Sequence, residues 1–466
     1  MISLTVAEIA AAIGAEAPAG TAEQVVGGSV ETDSRLVGAG SIFFALPGEV
    51  TDGHLFAEGA VANGAVLVVA ERPLDLDVPV LVVDDGVAAL AALARDVVAR
   101  VRARGRLRVV AVTGSNGKTT TKNLMRAIFS AEGPTVAPEG SFNNHVGAPI
   151  SMLRVDESTA YLVVEMGASG VGEIARLVSI VTPDVGIVLK VGLAHAGEFG
   201  GIEQTERAKS EMVRDLPESA VAVLNADDPR VDRMSEVTRA RIVRFGHGPE
   251  SDLRAVDVVS SIEGTSFTLE VDGARLAVQV RILGEHHVSN VLAALAAARE
   301  FGVPMERAIA ALGEVARAER WRMELLDPGT GFTVINDAYN ASPDSMSAAL
   351  RTLAQIVTPE QRSVAVLGEM AELGEFAFEE HDRIGRLIVR LNIHKLVVIG
   401  QAARHIHLAA GLEGSWDGES VLVDDIDAAY DLLREELRDG DVVLVKSSKS
   451  AGLRFLGDRL GGVTGS

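Results

Sequence analysis

The chain has 466 residues, 47% of them hydrophobic and 23% charged, too long for a single core and suited to about three domains. Lys and Arg total 43 against 65 Asp and Glu, a formal net charge of -22, so the overall field repels nucleic acid and anionic lipid and any phosphate-bearing ligand needs a local cationic site. Cysteine is absent, which excludes disulfides, Cys-ligated zinc and a thiol nucleophile.

The N-terminus lacks a leader pattern, and no run reaches the roughly 18 to 20 apolar residues of a membrane helix. A cytoplasmic protein with no membrane insertion and no nucleic-acid partner is expected, in monomeric form. In chain order, Ile42–Leu46, Ala65–Val69 and Val80–Val83 are short apolar strands, and Ala88–Val101 is a helical pattern. Arg102–Arg108 is basic and contains glycine, which suits a linker as well as a solvated helix end. Strand Val109–Val112 then meets a glycine-bearing loop and a helix from Thr119 to Ala131 that stops at Gly133-Pro134. Tyr161–Glu165 and Asp184–Val191 are continuous apolar runs of the kind buried in a parallel sheet. Residues 251 to 283 alternate like antiparallel strands, and helix Val288–Phe301 closes the region. From Phe332–Asn336 onward, strands Ser363–Gly368, Lys395–Gly400 and Asp441–Lys446 alternate with helices Ser345–Ile356, Glu379–Leu391 and Ala428–Leu437. That rhythm predicts a parallel, doubly wound sheet. The expected fold is α/β in three domains: 1–106, a central P-loop ATPase domain over 107–318, and a Rossmann-like domain over 319–466.

The sharpest feature is the run Thr113-Gly114-Ser115-Asn116-Gly117-Lys118-Thr119-Thr120 after strand Val109–Val112. Glycines let backbone N–H groups approach phosphate oxygens, the helix N-terminus adds partial positive charge, Lys118 reaches the β/γ-phosphates and the Thr119 hydroxyl suits magnesium. Val112 stands where the full P-loop pattern has glycine. No guanine-specific Asn/Thr-Lys-x-Asp element follows; the nearest strand end, Asn225-Ala226-Asp227-Asp228, lacks the lysine. Glu165 ends an apolar strand, as the second carboxylate of such a site does. A lone histidine such as His195 is more often structural, and Lys209 in GIEQTERAKSEMV reads by itself as a solvated helix lysine.

TGSNGKTT, the EMG ending a strand, the AH after VGL, and AKSE together resemble, in order and spacing, the central domain of the Mur ligases. The resemblance implies that Glu165 and His195 are magnesium ligands, that Lys209 is carbamoylated and becomes a further ligand, and that Asn290 contacts adenine. ATP and one or two Mg²⁺ are the implied cofactors. ETDSRLVGAGSIFFALPGEVTDGH resembles the domain that grips the uridine diphosphate of the substrate, with Asp33, Ser34, Arg35, Asp52, Gly53 and His54 at the matching positions. Asn143 and Asn144 match the family's substrate loop, where His145 is a departure.

INDAYNASPDSMSAAL and LGEMAELGEFAFEEHDRIG resemble the dipeptide-adding branch, whose small-molecule substrates are UDP-MurNAc-tripeptide and D-Ala-D-Ala. The His-Thr-Pro and Asp-Asn-Pro-Arg elements of the tripeptide-forming branch are absent. The resemblance implies that Arg322, with Arg320 the alternative register, faces the γ-phosphate, that Asp337 meets the nucleotide, and that Tyr339, Asn340 and Ser342 line the dipeptide side. Lys446-Ser447-Ser448-Lys449 departs from the Lys-Gly-Ser-Arg run common there. A tripeptide-forming or folylpolyglutamate-type ligase, or a non-catalytic P-loop ATPase, stands as the alternative.

Overall fold

The computed structural model describes residues 1–48, 51–192, 201–315, 319–414 and 416–463. The first strands are short: β1 (Leu4–Thr5) pairs antiparallel with β2 (Val25–Val26), while β3 (Val30–Glu31), β4 (Ser41–Ala45), β5 (Ala65–Ala70) and β6 (Val80–Val82) form a parallel sheet in that order. Helix Gly86–Arg102 starts on the Asp85 cap, whose side chain accepts from Ala88 N–H, as helix N-termini prefer. Its buried stripe of Leu90, Leu93, Ala94, Val97, Val98 and Val101 joins the same core as Val109, Ala111, Leu162 and Val164 of the next sheet. Each such fully buried Leu or Val side chain contributes about 1.5–3 kcal/mol, so this shared core fastens the first unit to the second. The proposed linker is therefore short. The helix runs to Arg102, whose guanidinium bonds Thr182 O at 2.9 Å and the Asp184 carboxylate at 3.1 Å, and the next strand starts at Arg108.

The central sheet comprises β7 (Arg108–Thr113), β8 (Thr135–Val136), β9 (Tyr161–Glu165), β10 (Val185–Val188), β11 (Val221–Asn225), β12 (Arg241–Gly246), β13 (Leu253–Ser261), β14 (Gly264–Val271) and β15 (Ala274–Val280), in the order β15-β14-β13-β12-β11-β10-β7-β9-β8. Strands β8 to β12 and β7 are parallel, and the alternating segment 251–283 supplies an antiparallel extension, β13–β15. The antiparallel pairing expected of this alternating segment is thus found, and the half-solvated residues of β13–β15 need only one covered face. Along β7, Val109 and Ala111 face one core while Val110 and Val112 face the other, so the continuous apolar run is a strand covered on both sides. The chain passes from β7 outward to β8 and back to β9, then crosses to β10 on β7's other flank, which makes the crevice beyond β7 the switch point where ligands bind in open α/β sheets.

The last sheet contains β16 (Glu324–Leu326), β17 (Thr333–Asn336), β18 (Ser363–Leu367), β19 (Lys395–Ile399), β20 (Glu419–Val423) and β21 (Val442–Lys446), ordered β16-β17-β21-β18-β19-β20. All pairs are parallel except the edge strand β16. Ile335, Ala365 and Leu444 face one helical layer and Val334, Val364, Val366 and Val443 the other, the doubly wound arrangement expected. No helix among the described residues is long and apolar enough to cross a membrane.

Candidate active site

Beyond β7 the loop is pinned on both sides. The Thr113 hydroxyl donates to Met166 O at 2.7 Å, past the end of β9. Ser115 N–H donates to Lys190 O at 2.8 Å, and the Ser115 hydroxyl both accepts from Gly192 N–H and donates to Gly192 O. Ser115 therefore holds the loop against the segment after β10. Gly117 has φ 87°, and a Cβ there would sit 2.2 Å from Asn290 Oδ1; only glycine fits both the conformation and the contact. Helix Lys118–Ser130 starts immediately after it. Lys118 Nζ lies 2.7 Å from Gly114 O, and its pKa is lowered by desolvation, opposed by Glu165 and reinforced by Arg322.

Glu165 is fully buried at the end of β9. Its Oε1 accepts from Asn143 Nδ2 at 2.8 Å and from the Thr119 hydroxyl at 3.3 Å, while Oε2 has no hydrogen-bond partner. A buried carboxylate oxygen left unsatisfied costs free energy unless something cationic meets it. A hard divalent ion between Glu165 and Thr119 fits that need. Among the described residues no three His, Asp or Glu side chains gather as a metal cluster, in keeping with magnesium sites that rest on one or two carboxylates, phosphate oxygens and water. Lys122, buried one turn below, donates to Pro138 O and Gly140 O at 2.9 Å each and so fixes the loop carrying Ser141 and Asn143. Asn144 Oδ1 accepts from Val146 N–H at 3.2 Å and Gly147 N–H at 2.8 Å, at the start of helix Gly147–Met152, and Asn144 is not among the cleft-lining residues.

The far wall comes from the last sheet. Arg322 lies between Trp321 and Met323, both at positive φ (58° and 49°), a conformation that non-glycine residues rarely adopt. Its guanidinium sits 4.5 Å from the Tyr339 ring centre, and its buried Nε has no hydrogen-bond partner. Arg320 is committed elsewhere, to Asp458 at 2.8 Å and Glu324 at 3.4 Å. Geometry thus favours Arg322 over Arg320 as the cleft cation. Tyr339 Oη is 3.0 Å from Ser141 Oγ, joining this wall to the central domain's loop. Asp337 accepts from Met323 N–H at 3.0 Å and from buried Lys446 at 2.6 Å, and Lys446 also donates to Asn340 O at 3.0 Å. Ser342 caps helix Pro343–Ile356 through a capping box with Ser345, and its hydroxyl bonds Asn116 Oδ1 at 3.2 Å.

These walls enclose a cleft of about 940 Å³. Of the residues expected from sequence, Ser115, Asn116, Gly117, Lys118, Thr119, Thr120, Asn143, Glu165, Asn290, Arg322, Asp337, Tyr339 and Asn340 line it. Thr113, Gly114 and Ser342 brace it from behind. Lys209 is buried on helix Ile202–Arg214, its pKa lowered to about 7 by desolvation and by the Lys118 charge, against the raising pull of Glu173 and Glu211. His195 lies outside the described residues.

The expected uridine diphosphate residues form a separate locality. Arg35 is exposed and paired with Asp33 at 2.6 Å. Asp52 bonds Arg72 at 2.7 Å and His54 Nδ1 at 2.6 Å, while His54 Nε2 accepts from Glu71 N–H. Gly53 packs so that a Cβ would lie 2.4 Å from Leu46 O, and Ser34 O accepts from Asn63. None of these lines the 940 Å³ cleft.

Several lining residues escaped the sequence reading. His286 and His287 belong to none of the motifs singled out above, yet their ring centres are 4.1 Å apart and both border the cleft. Asn290 Nδ2 can donate to His287 Nδ1 at 2.9 Å, which places the ring proton on Nε2, a buried atom without a partner. Burial holds His287 well below the ordinary histidine range, helped by His286, Arg322 and Lys446. Lys190, Asp227, His247, Glu372, Lys446 and Lys449 also reach the cleft. The acidic strand end at Asp227, the LGEMAELGEF run that carries Glu372 and the Lys446–Lys449 run gave a signal in sequence; Lys190 and His247 gave none.

Three family descriptions match in succession: Mur ligase family, catalytic domain, over residues 28–111; Mur ligase middle domain over 112–298; and Mur ligase, glutamate ligase domain, over 321–449. The chain belongs to the Mur ligase family and is an ATP-dependent amide ligase. It is 45% identical to the UDP-N-acetylmuramoyl-tripeptide–D-alanyl-D-alanine ligase of Mycobacterium tuberculosis, covering 99% of this chain and 98% of that one. It is 34% identical to the Escherichia coli ligase of the same name, covering 91% and 92%. The crystal structure of MurF from Acinetobacter baumannii superposes with a TM-score of 0.88 at 30% identity over 98% of this chain and 99% of that one. That of MurF from Thermotoga maritima in complex with ADP gives 0.81 at 28% identity, over 93% and 97%.

Proposed function

We propose that this protein joins D-alanyl-D-alanine to UDP-MurNAc-tripeptide, forming the pentapeptide precursor of peptidoglycan with ADP and phosphate as co-products. The observation that carries the reading is the single cleft in which the P-loop of the central sheet faces Arg322 and Tyr339 of the last sheet, together with relatives of that name matched end to end.

A carboxylate resists amine attack because it is a poor electrophile with no leaving group. Its oxygen therefore attacks the γ-phosphorus of ATP, the bond to the β,γ-bridging oxygen breaks, and ADP departs. The acyl phosphate then accepts the free amine of the dipeptide; the C–O bond to phosphate breaks, and the amine loses a proton as the amide forms. Bringing a carboxylate to a triphosphate opposes two anions, so positioning and charge neutralisation supply most of the acceleration. Lys118 and Arg322 flank the transferring group, Gly117 lets the loop backbone close on phosphate, and Asn290 supports the nucleotide side. Asp337 orders Lys446 and the Met323 backbone behind Arg322.

Thr119 and Glu165 would hold one Mg²⁺, and His195 with carbamoylated Lys209 a second, where the metal supplies charge neutralisation of the phosphates. Lys209 suits carbamoylation because its amine is buried and held near pH 7: only the neutral amine adds CO₂, and the product turns a cation repelled by Lys118 into an anion attracted by it. Residues 1–106 would bind the uridine diphosphate end through Asp33, Ser34, Arg35, Asp52, Gly53 and His54; 107–318 would bind ATP; and 319–466 would bind the dipeptide. A cytoplasmic monomer is consistent with this use of soluble small substrates. Incubating the protein with ATP, UDP-MurNAc-tripeptide and D-Ala-D-Ala should yield pentapeptide and one phosphate per bond. Phosphate release indifferent to acceptor would refute it.

A further inference from the structure

The cleft holds more cationic side chains than phosphoryl transfer requires. Lys446 is tied to Asp337, Lys190 pairs with Asp344 at 3.5 Å, and Lys118 is parked on the P-loop. Lys449 differs from all of these. It lies just past β21, exposed, with its ammonium 5.5 Å from the Tyr339 ring centre. It makes no ion pair with any described carboxylate. The loop that carries it is fixed: Ser448 N–H donates to Glu369 O at 2.9 Å, the Ser448 hydroxyl accepts from Ala371 N–H at 2.8 Å, and Lys446 anchors the strand end.

Arg322 and Lys449 therefore share one aromatic ring, at 4.5 and 5.5 Å from its centre, and can be no further apart than the sum of those distances. The acceptor dipeptide presents two ends to this wall, an amine that must reach the acyl phosphate and a carboxylate that needs a cation. Two residues in extended form span about 7 Å. With Arg322 at the phosphoryl end, a second cation on the same ring, beyond that span by at most about one hydrogen-bond length, is what the carboxylate end requires. Resting on the proposed dipeptide-adding reaction, we propose that Lys449 receives the C-terminal carboxylate of the acceptor and thereby selects a free dipeptide over longer or blocked ones.

A Lys449→Gln variant, compared with Lys449→Arg, tests this. The KM for D-Ala-D-Ala should rise about tenfold in Lys449→Gln, with the KM for ATP within twofold of wild type, and Lys449→Arg should recover most of the loss. The wild type should disfavour the C-terminal amide of the dipeptide by a similar factor, and Lys449→Gln should no longer distinguish amide from acid. If the wild type joins D-Ala-D-Ala but Lys449→Gln keeps both its dipeptide KM and its preference for the acid, the assignment falls while the reaction stands. An effect confined to the KM for ATP would overturn it in favour of a nucleotide role. If the wild type joins no dipeptide at all, the reaction and the assignment fall together.

Discussion

The hydroxyl of Ser342 lies 3.2 Å from Oδ1 of Asn116. One residue caps the first helix of the last sheet's layer and the other sits in the P-loop, so this hydrogen bond ties the last domain directly to that loop. Loss of the hydroxyl in Ser342→Ala removes a helix cap, at a cost of about 1 kcal/mol. Asn116→Ala leaves the cap intact. Both should raise the KM for ATP severalfold, and the double variant should lose less than the sum of the two singles. Strict additivity in nucleotide affinity, measured by titration calorimetry, would mean the two residues do not communicate.

Gly117→Ala forces a Cβ to 2.2 Å from Asn290 Oδ1 at a φ of 87°. Nucleotide affinity should fall at least about tenfold with little change in melting temperature. Adding Asn290→Ala relieves the collision but not the backbone strain, which costs about 1–2 kcal/mol, so affinity should stay below wild type. A Gly117→Ala protein that binds ATP normally would show that the loop is not held as described.

Arg320 and Arg322 separate stability from chemistry. Arg320→Met removes the cation paired with Asp458, which is 2% exposed, and leaves its carboxylate without a counter-charge. It should destabilise by about 2–3 kcal/mol, discounted from the 3–5 kcal/mol of a fully buried pair because Arg320 itself is partly exposed. Arg322→Met should leave the urea midpoint almost unmoved and lower kcat about a hundredfold. The reverse pattern would exchange their roles.

The P-loop was legible because strand, glycine loop and lysine-started helix form one contiguous string whose chemistry is local. Glu165 was legible for the same reason, as a charge ending an apolar run. What escaped is what tertiary packing creates. Ser115 and Ser342 read as ligand contacts, and nothing in sequence signalled that Ser115, which lines the cleft, also ties the loop to Lys190 and Gly192 or that Ser342 caps a helix. His286 and His287 gave no local signal because their role comes from position: they occupy the first two places of helix His286–Glu300, at the end that faces the cleft. The parallel core of the central sheet was visible in β7, β9 and β10, and β11 only through the acidic stretch that follows Asn225 at its end; β12 passed unnoticed because a short run broken by Arg241 and Arg244 has no glycine loop to frame it.

Lys209 should make the reaction dependent on bicarbonate. Its pKa of about 7 leaves the amine largely neutral at pH 8 and increasingly protonated below 7, so the carbamate forms at high pH and is lost as pH falls. In carbonate-depleted buffer, activity should drop several-fold more at pH 6.5 than at pH 8 (values chosen on either side of the expected midpoint), and added bicarbonate should restore it. Lys209→Ala should retain roughly 1% or less of activity and regain part of it with a short-chain carboxylate. Full activity of Lys209→Ala in depleted buffer would remove carbamate from the scheme.

The most direct test replaces Lys118. In Lys118→Ala, with ATP, UDP-MurNAc-tripeptide and D-Ala-D-Ala supplied together, pentapeptide formation should fall by about a thousandfold or more while the circular-dichroism spectrum and melting temperature stay close to wild type. Undiminished peptide joining in that variant, or product formed by the wild type with ATP omitted, would contradict the account.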